Sequence, residues 1–213
     1  QKLPLVSTMV DKKDSYLRFN DDQGKVIFTT DSVVSLATLG TTREVAGNVV
    51  FVGYAYEDTA SGYNDFKGID IKDKIVLVMT RTPELVKSGS GKRLMDFNLE
   101  SQKIRSLFVR QPKAILFVYD PQNAFNDAYE SGLAELVQSS GVSLKGKSVS
   151  SLPFQICIIS QKAADILLKP TGNSLSTMQE RIQKEGQLVS VEIKGFTATV
   201  RTAVASLDVA GSN

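Results

Sequence analysis

The chain contains no histidine, no tryptophan and a single cysteine. Without imidazole there is no Ser-His-Asp triad, no Cys-His pair and no His-containing zinc site. One cysteine excludes an internal disulfide framework and a cysteine-rich metal cluster. An excess of charge of one sign is also lacking: 25 Lys and Arg stand against 23 Asp and Glu, a net charge of +2. That balance argues against polyanion binding, which needs a clustered basic surface. Long apolar runs are missing too. The longest, Ile75-Val76-Leu77-Val78-Met79 and Ala114-Ile115-Leu116-Phe117-Val118-Tyr119, are of strand length, well short of the roughly 20 residues of a membrane helix. The start carries no basic segment followed by an apolar one, and no Asn-X-Ser/Thr sequon occurs. The first residue is Gln and not Met, so a processed chain or a piece of a longer one is expected.

What remains is an ordinary globular composition, 42% hydrophobic and 23% charged. A chain of this length buries roughly 70% of its extended surface, enough for a self-sufficient core. The first third reads as strands. Leu3-Pro4-Leu5-Val6, Ser15-Tyr16-Leu17-Arg18-Phe19 and Lys25-Val26-Ile27-Phe28-Thr29 are β-prone stretches parted by turn-forming clusters such as Asn20-Asp21-Asp22-Gln23-Gly24. Residues 32–39 and 48–54 continue the pattern, which favours an antiparallel sheet or barrel.

The middle changes character. Residues 74–79 and 113–119 are buried-type strands, and helix formers over 95–109 put Ile104, Leu107 and Phe108 at helical spacing. Strand, helix, strand predicts a βαβ unit with two parallel strands and a right-handed crossover. Residues 154–159 predict a third such strand, with Cys157 as a buried, inert thiol, and 161–168 a short helix. Ser176 with Gln179 fits a capping box for a helix ending at Gly186. Val189, Val191 and Ile193 alternate with polar residues, as do Phe196, Ala198 and Val200. With Lys194-Gly195 as the turn between them, a closing hairpin is expected. Residues 88–93 and 138–151 are expected to be exposed loops. The reading is one mixed α/β domain over 1–213: mainly strands over 1–54, a βαβ region over 74–168, and a helix plus closing hairpin over 174–205.

Candidate chemistry is thin. Gly89-Ser90-Gly91-Lys92 lacks the Walker A spacing, since Val86 and Arg93 occupy the positions of the first Gly and the magnesium-binding hydroxyl. A Ser-Lys dyad needs no histidine, but no Ser lies in a Gly-X-Ser-X-Gly elbow. Asp65 and Asp70 are the most concentrated acidic pair, without the alternating ligands and closing Glu of a calcium loop, and are read as turn formers. The aromatic cluster Phe51, Tyr54, Tyr56, Tyr63 and Phe66 has two readings. Its rings belong to the core edge, or Tyr54, Tyr56, Tyr63, Asn64, Asp65 and Phe66 form a contact surface, tyrosine giving large area at low entropy cost.

Val49-Val50-Phe51-Val52-Gly53-Tyr54, followed by Gly62-Tyr63-Asn64-Asp65-Phe66-Lys67-Gly68-Ile69-Asp70-Ile71-Lys72-Asp73-Lys74-Ile75-Val76-Leu77-Val78, resembles the protease-associated domain of secreted zinc aminopeptidases. The similarity continues through 113–118, Leu152-Pro153 with the strand after it, and the helices of 163–178. It extends to Gln1-Lys2-Leu3-Pro4-Leu5 and Val209-Ala210-Gly211 at the ends. Arg81-Thr82-Pro83 stands where the family carries a different turn, and Asp73 where glycine is common. The resemblance implies a protease-associated fold, a β-sandwich or open barrel flanked by short helices with one βαβ crossover. It also implies a non-catalytic module without its enzyme, whose function is to shape substrate access or mediate protein contact. The zinc and its ligands would then sit in a separate peptidase domain, with no cofactor or metal bound by this chain, no nucleic acid and no membrane span. A periplasmic or secreted location is implied in the same way.

Two other readings stay open. A free-standing peptide- or carbohydrate-binding module predicts a groove lined by aromatics. A small hydrolase predicts a pocket with convergent carboxylates or a buried Lys. The accessory module predicts chain ends close together on one side and no deep polar cleft.

Overall fold

The computed structural model describes residues 4–30, 34–35, 42–83, 97–121, 141–145, 154–186 and 188–210. Eleven strands are described: β1 Pro4–Asp21, β2 Val26–Thr30, β3 Val34–Ser35, β4 Arg43–Phe51, β5 Glu57–Asp58, β6 Tyr63–Asn64, β7 Ile75–Met79, β8 Ala114–Val118, β9 Gly141–Leu144, β10 Gln155–Ile159 and β11 Val191–Ala210. Three short helices accompany them: α1 Phe97–Phe108, α2 Gln161–Leu168 and α3 Leu175–Glu185. The architecture is mixed α/β, dominated by one nine-stranded sheet in the order β2-β1-β11-β4-β7-β8-β10-β3, with β9 also paired to β1. The strands β5 and β6 form a separate two-stranded ribbon.

The parallel block β4-β7-β8-β10 is the centre. The strands β7, β8 and β10 are buried along their whole length, with both faces covered, whereas β4 is buried only over Val49–Phe51. Ile75, Leu77 and Met79 of β7, with Leu116 of β8 and Ile159 of β10, face a cluster that includes Leu167 of α2 and Met178 and Ile182 of α3. Val76, Val78, Ile115, Phe117, Ile156 and Ile158 point the other way and pack with Leu107 of α1 and with Phe154. The β7-α1-β8 unit confirms the expected strand–helix–parallel-strand order. Cys157 is fully buried in the first of these clusters.

Four local expectations are corrected. The first two short strands are one long strand, β1, whose register against β11 shifts between Asp11 and Tyr16. The polar residues there form a bulge, with the Ser15 hydroxyl donating to the Asp11 carbonyl, and the strand does not end. The closing hairpin is likewise a single strand, β11. Gly195 at φ +81° absorbs an irregularity between Ile193 and Thr197 against β4, so the chain bends and carries on. Alternating polarity looks the same either side of a bulge as either side of a turn. Part of the expected loop over 138–151 is β9, whose Gly141–Leu144 pairs with Leu5–Thr8 of β1. The expected loop over 88–93 lies outside the described residues, as do Leu152-Pro153, Gly211 and most of the strand expected at 32–39.

The fourth correction concerns α3. Its N-cap is Ser174, whose side chain accepts the Thr177 N–H at 3.2 Å, while Gln179 turns inward instead of closing a box from Ser176. The helix does end at Gly186, in left-handed backbone with φ +62°. Replacing Ser174 by Ala is expected to cost about 1 kcal/mol, and the same change at Ser176 only a few tenths, in urea unfolding of the two variants.

Candidate functional site

In open sheets with parallel strands, functional groups gather at the carboxyl ends of the strands. Here that edge is formed by 52–56 after β4, 80–82 after β7 and 119–120 after β8. The backbone continues the sheet a little way past the strand ends: Met79 N–H donates to Gly53 O at 2.9 Å and Thr80 N–H to Val118 O at 2.9 Å. Several buried polar side chains gather at this edge and beside it. Asp65, Thr80, Arg81, Thr82, Lys103 and Asp120 are each at most 5% exposed. Sequence reasoning named only Asp65 among them as a candidate site residue; Thr80-Arg81-Thr82, Lys103 and Asp120 come from separate parts of the chain and carry no motif.

Asp65 is fully buried and organises the turn after β4. Its Oδ2 accepts the N–H of Tyr54 at 2.9 Å and of Tyr56 at 3.2 Å, and its Oδ1 accepts the Tyr63 hydroxyl at 2.6 Å. The Ser190 hydroxyl donates to the Asp65 carbonyl at 2.6 Å, tying the lead-in of β11 to the same point. To let the carboxylate in so closely, the turn runs through Gly53 at φ +43° and Ala55 at φ +50°. A Cβ on Gly53 would stand 2.4 Å from Asp65 Oδ1. That oxygen is fixed by its hydrogen bonds and cannot swing away.

A second buried knot lies beside it. The Tyr54 hydroxyl donates to Asp120 Oδ2 at 3.0 Å and accepts from Gln179 Nε2 and Gln183 Nε2, each at 3.1 Å. Gln179 Nε2 also donates to Asp120 Oδ1. The knot joins β4, β8 and α3 and explains why Gln179 faces the core. Lys103 of α1 reaches in from the opposite side of the sheet, its Nζ donating to the Met79 carbonyl at 2.9 Å. A buried lysine is what the hydrolase reading asked for, and Asp65 and Asp120 are buried carboxylates. Their described contacts are with backbone donors, tyrosine hydroxyls and amides.

The electrostatics favour structural roles. Burial raises the Asp65 carboxyl to about 6, with the Tyr63 hydroxyl, the Tyr54 and Tyr56 N–H groups and the Lys103 charge pulling the other way. Burial, and then the Asp120 charge, pushes the Tyr54 hydroxyl far up. Burial and the Asp65 charge do the same to Tyr63. Both phenols therefore remain protonated donors and neither is an activated nucleophile.

The residues expected as a contact surface are thus placed mostly inside. Tyr54, Tyr63, Asp65 and Phe66 are buried, while Tyr56 and Asn64 are half-buried. The expected open patch of Tyr54, Tyr56, Tyr63 and Phe66 is corrected: the buried carboxylate draws the turn and two of its rings inward. The Phe66 ring is capped from outside by the Arg110 guanidinium at 3.9 Å. Asp70, by contrast, is exposed and accepts the Lys72 N–H at 3.0 Å, the turn role expected of it. Asp73 has φ +57°, backbone that glycine adopts without strain.

An open groove of about 430 Å³ lies elsewhere, between α3 and the start of β11, where Met178, Arg181, Val189, Ser190, Glu192 and Lys194 contribute to its wall. None of the residues lining it is aromatic. Among the described residues no group of three or more His, Cys, Asp or Glu is placed to hold a metal ion, and no helix is long and apolar enough to cross a membrane. No protein-family model matches this chain, and neither does any curated protein.

Two outcomes follow from Asp65. Its carboxyl is held at about 6 in the fold against an ordinary 3.8, so between those values the folded chain keeps a proton that the unfolded chain has released. Stability therefore falls as pH rises through this window and levels above it, a loss of roughly 3 kcal/mol from this group. Asp65→Asn keeps the shape without the charge and should remove that slope when urea unfolding is compared with the parent chain from pH 4 to 7.5. Separately, Gly53→Ala should destabilise by about 3 kcal/mol or more. Gly62→Ala, at φ +75° but with open space around its Cβ, should cost only about 1–2 kcal/mol in the same thermal or urea unfolding.

Proposed function

We propose that this chain is a non-catalytic accessory domain of the protease-associated type, carried by a zinc-dependent aminopeptidase and shaping access to its active site or mediating protein contact. The observation that carries the reading is the pairing of the first and last described strands. Pro4 lies opposite Ala210, Leu5 opposite Val209 and Val6 opposite Asp208 in one antiparallel ladder. Directly opposed residues in such a ladder are about 5 Å apart. A host chain can therefore leave by one strand and return by its neighbour, the geometry an inserted domain needs.

Three further features support the reading. The motifs run in the order of the resembled family, from Val49-Val50-Phe51-Val52-Gly53-Tyr54 through the strand at Ala114–Val118 to the helix ending at Gly186. Buried Asp65, Asp120 and Lys103 make hydrogen bonds to backbone, hydroxyl and amide groups that tie the fold together. A mixed α/β sheet covered by short helices is compatible with a protease-associated fold. In this reading the zinc and its ligands belong to the peptidase domain, the partners are that domain and, indirectly, its peptide substrate, and the location is periplasmic or secreted. The competing binding-module reading has the groove beside α3 in its favour, but that groove lacks the aromatic platform on which a sugar or peptide would stack.

The test is a zinc-dependent assay on a panel of aminoacyl and dipeptide substrates. It uses this chain, the full polypeptide that carries it, and that polypeptide with the segment deleted. The reading expects an inert chain, an active full polypeptide, and a deletion that changes KM or substrate preference while keeping some turnover. Turnover by this chain alone would overturn it.

A further inference from the structure

The start of β11 has a strand neighbour along one edge only. The strand β4 lies along that edge from Val191 to Thr202. On the other edge the β1 ladder ends where Asp21 stands opposite Phe196, and the chain then turns away into β2. Among the described residues no strand pairs with this second edge before Phe196. The open groove beside α3 lies against that stretch. Val189 and Val191 line it, and so do Ser190 and Glu192, which alternate with them along the strand. Alternate residues point to opposite faces, so a groove lined by both sets runs along the edge of the strand and not over one face.

The ladders fix which backbone groups look into it. Val52 N–H donates to Leu77 O at 3.0 Å, so Val52 and Val50 turn their backbone groups towards β7. Phe51 and Val49 alternate with them and turn theirs towards β11, where they stand opposite Val191 and Ile193. Glu192 lies between those two and therefore points its N–H and C=O away from β4, to the groove side. Among the described residues no backbone hydrogen bond reaches either group from that side. Open donors and acceptors on a strand edge are a template for a further strand.

We propose that this groove binds a short, extended acidic peptide, laid in line with β1 and paired through its backbone with Glu192. The backbone dictates the extended form, since an N–H and a C=O aimed the same way from one residue are matched by the same pair on an extended chain. The charges dictate the acidic character. Arg181 of α3 and Lys194 of β11 both line the groove. Among the described residues Glu192 is the one acid that lines it, and its carboxylate is held by Lys74 at 3.2 Å. Met178, Val189 and Val191 supply apolar wall for alternate side chains of the peptide. Residues 188–194 span about 20 Å of extended backbone, the length of about six peptide residues. Pairing of this kind needs no aromatic platform. The proposal goes beyond the accessory-domain reading and stands or falls without it.

Amide hydrogen exchange of the 213-residue chain, read residue by residue by NMR, tests this with three acetylated hexapeptides. One alternates Glu and Val, one alternates Lys and Val, and the third is the Glu-Val peptide with its backbone nitrogens methylated. The Glu-Val peptide should slow exchange at Glu192 N–H about ten-fold, while Val191 and Ile193, already paired to β4, change little. The other two should leave Glu192 as it is. Lys194→Glu, at an exposed position, should raise the Kd of the Glu-Val peptide about ten-fold. Binding that leaves Glu192 exchange unchanged, or that survives backbone methylation, would overturn the strand pairing. Equal binding of the Lys-Val peptide would overturn the acidic occupant, and no binding at millimolar peptide would remove the site. Slow exchange at Glu192 in a peptide-free dimer of the chain would give the edge to a second copy and overturn the proposal.

Discussion

The pairing of β1 with β11 is the constraint on which the rest of this structure depends. It joins the start of the described chain to its end, and every other strand of the main sheet is reached through it. The strands β2 and β9 lie along the free edge of β1, and β4 opens the parallel block from the far edge of β11. Contacts between residues so distant in sequence cost loop-closure entropy that only a long ladder recovers. The length of the two strands, 18 and 20 residues, supplies such a ladder. The bulge near Asp11 and the glycine at 195 let that ladder curve without breaking.

On that frame the parallel block is stabilised by burial on both faces, and its carboxyl edge by two polar knots. The first is centred on Asp65 and the second on Tyr54, Asp120 and Gln179. Each replaces water with several specific partners, so removing one member would leave buried groups unpaired, a cost of about 1–3 kcal/mol apiece. Among the described residues that edge is filled by buried side chains of the chain itself.

The sequence foretold some of this and not the rest, for physical reasons. Residues 74–79, 113–119 and 154–159 were legible as buried strands, because strands covered on both faces are written as unbroken apolar runs. The helices α1 and α2 were legible from spacing and from Pro112. The single strands β1 and β11 read as broken pieces, because a bulge and a turn use the same residues. The inward rotation of Tyr54, Tyr63 and Phe66 was hidden for another reason. It is set by a buried carboxylate at 65 and by Asp120 and Gln179, whose meeting is a property of the tertiary fold. The turn role of Asp70 was legible from its residue type alone, while nothing along the chain carried a sign of which rings were buried.

The first and last described strands lie side by side, and that pairing is open to direct measurement. Nitroxide labels on cysteines introduced at Pro4 and Ala210, with the fully buried Cys157 left unlabelled, measure it directly by electron spin resonance. Paired strands predict one narrow distance distribution below about 20 Å, allowing for the length of the labels. A broad distribution reaching several tens of ångströms would contradict the ribbon and, with it, the inserted-domain reading.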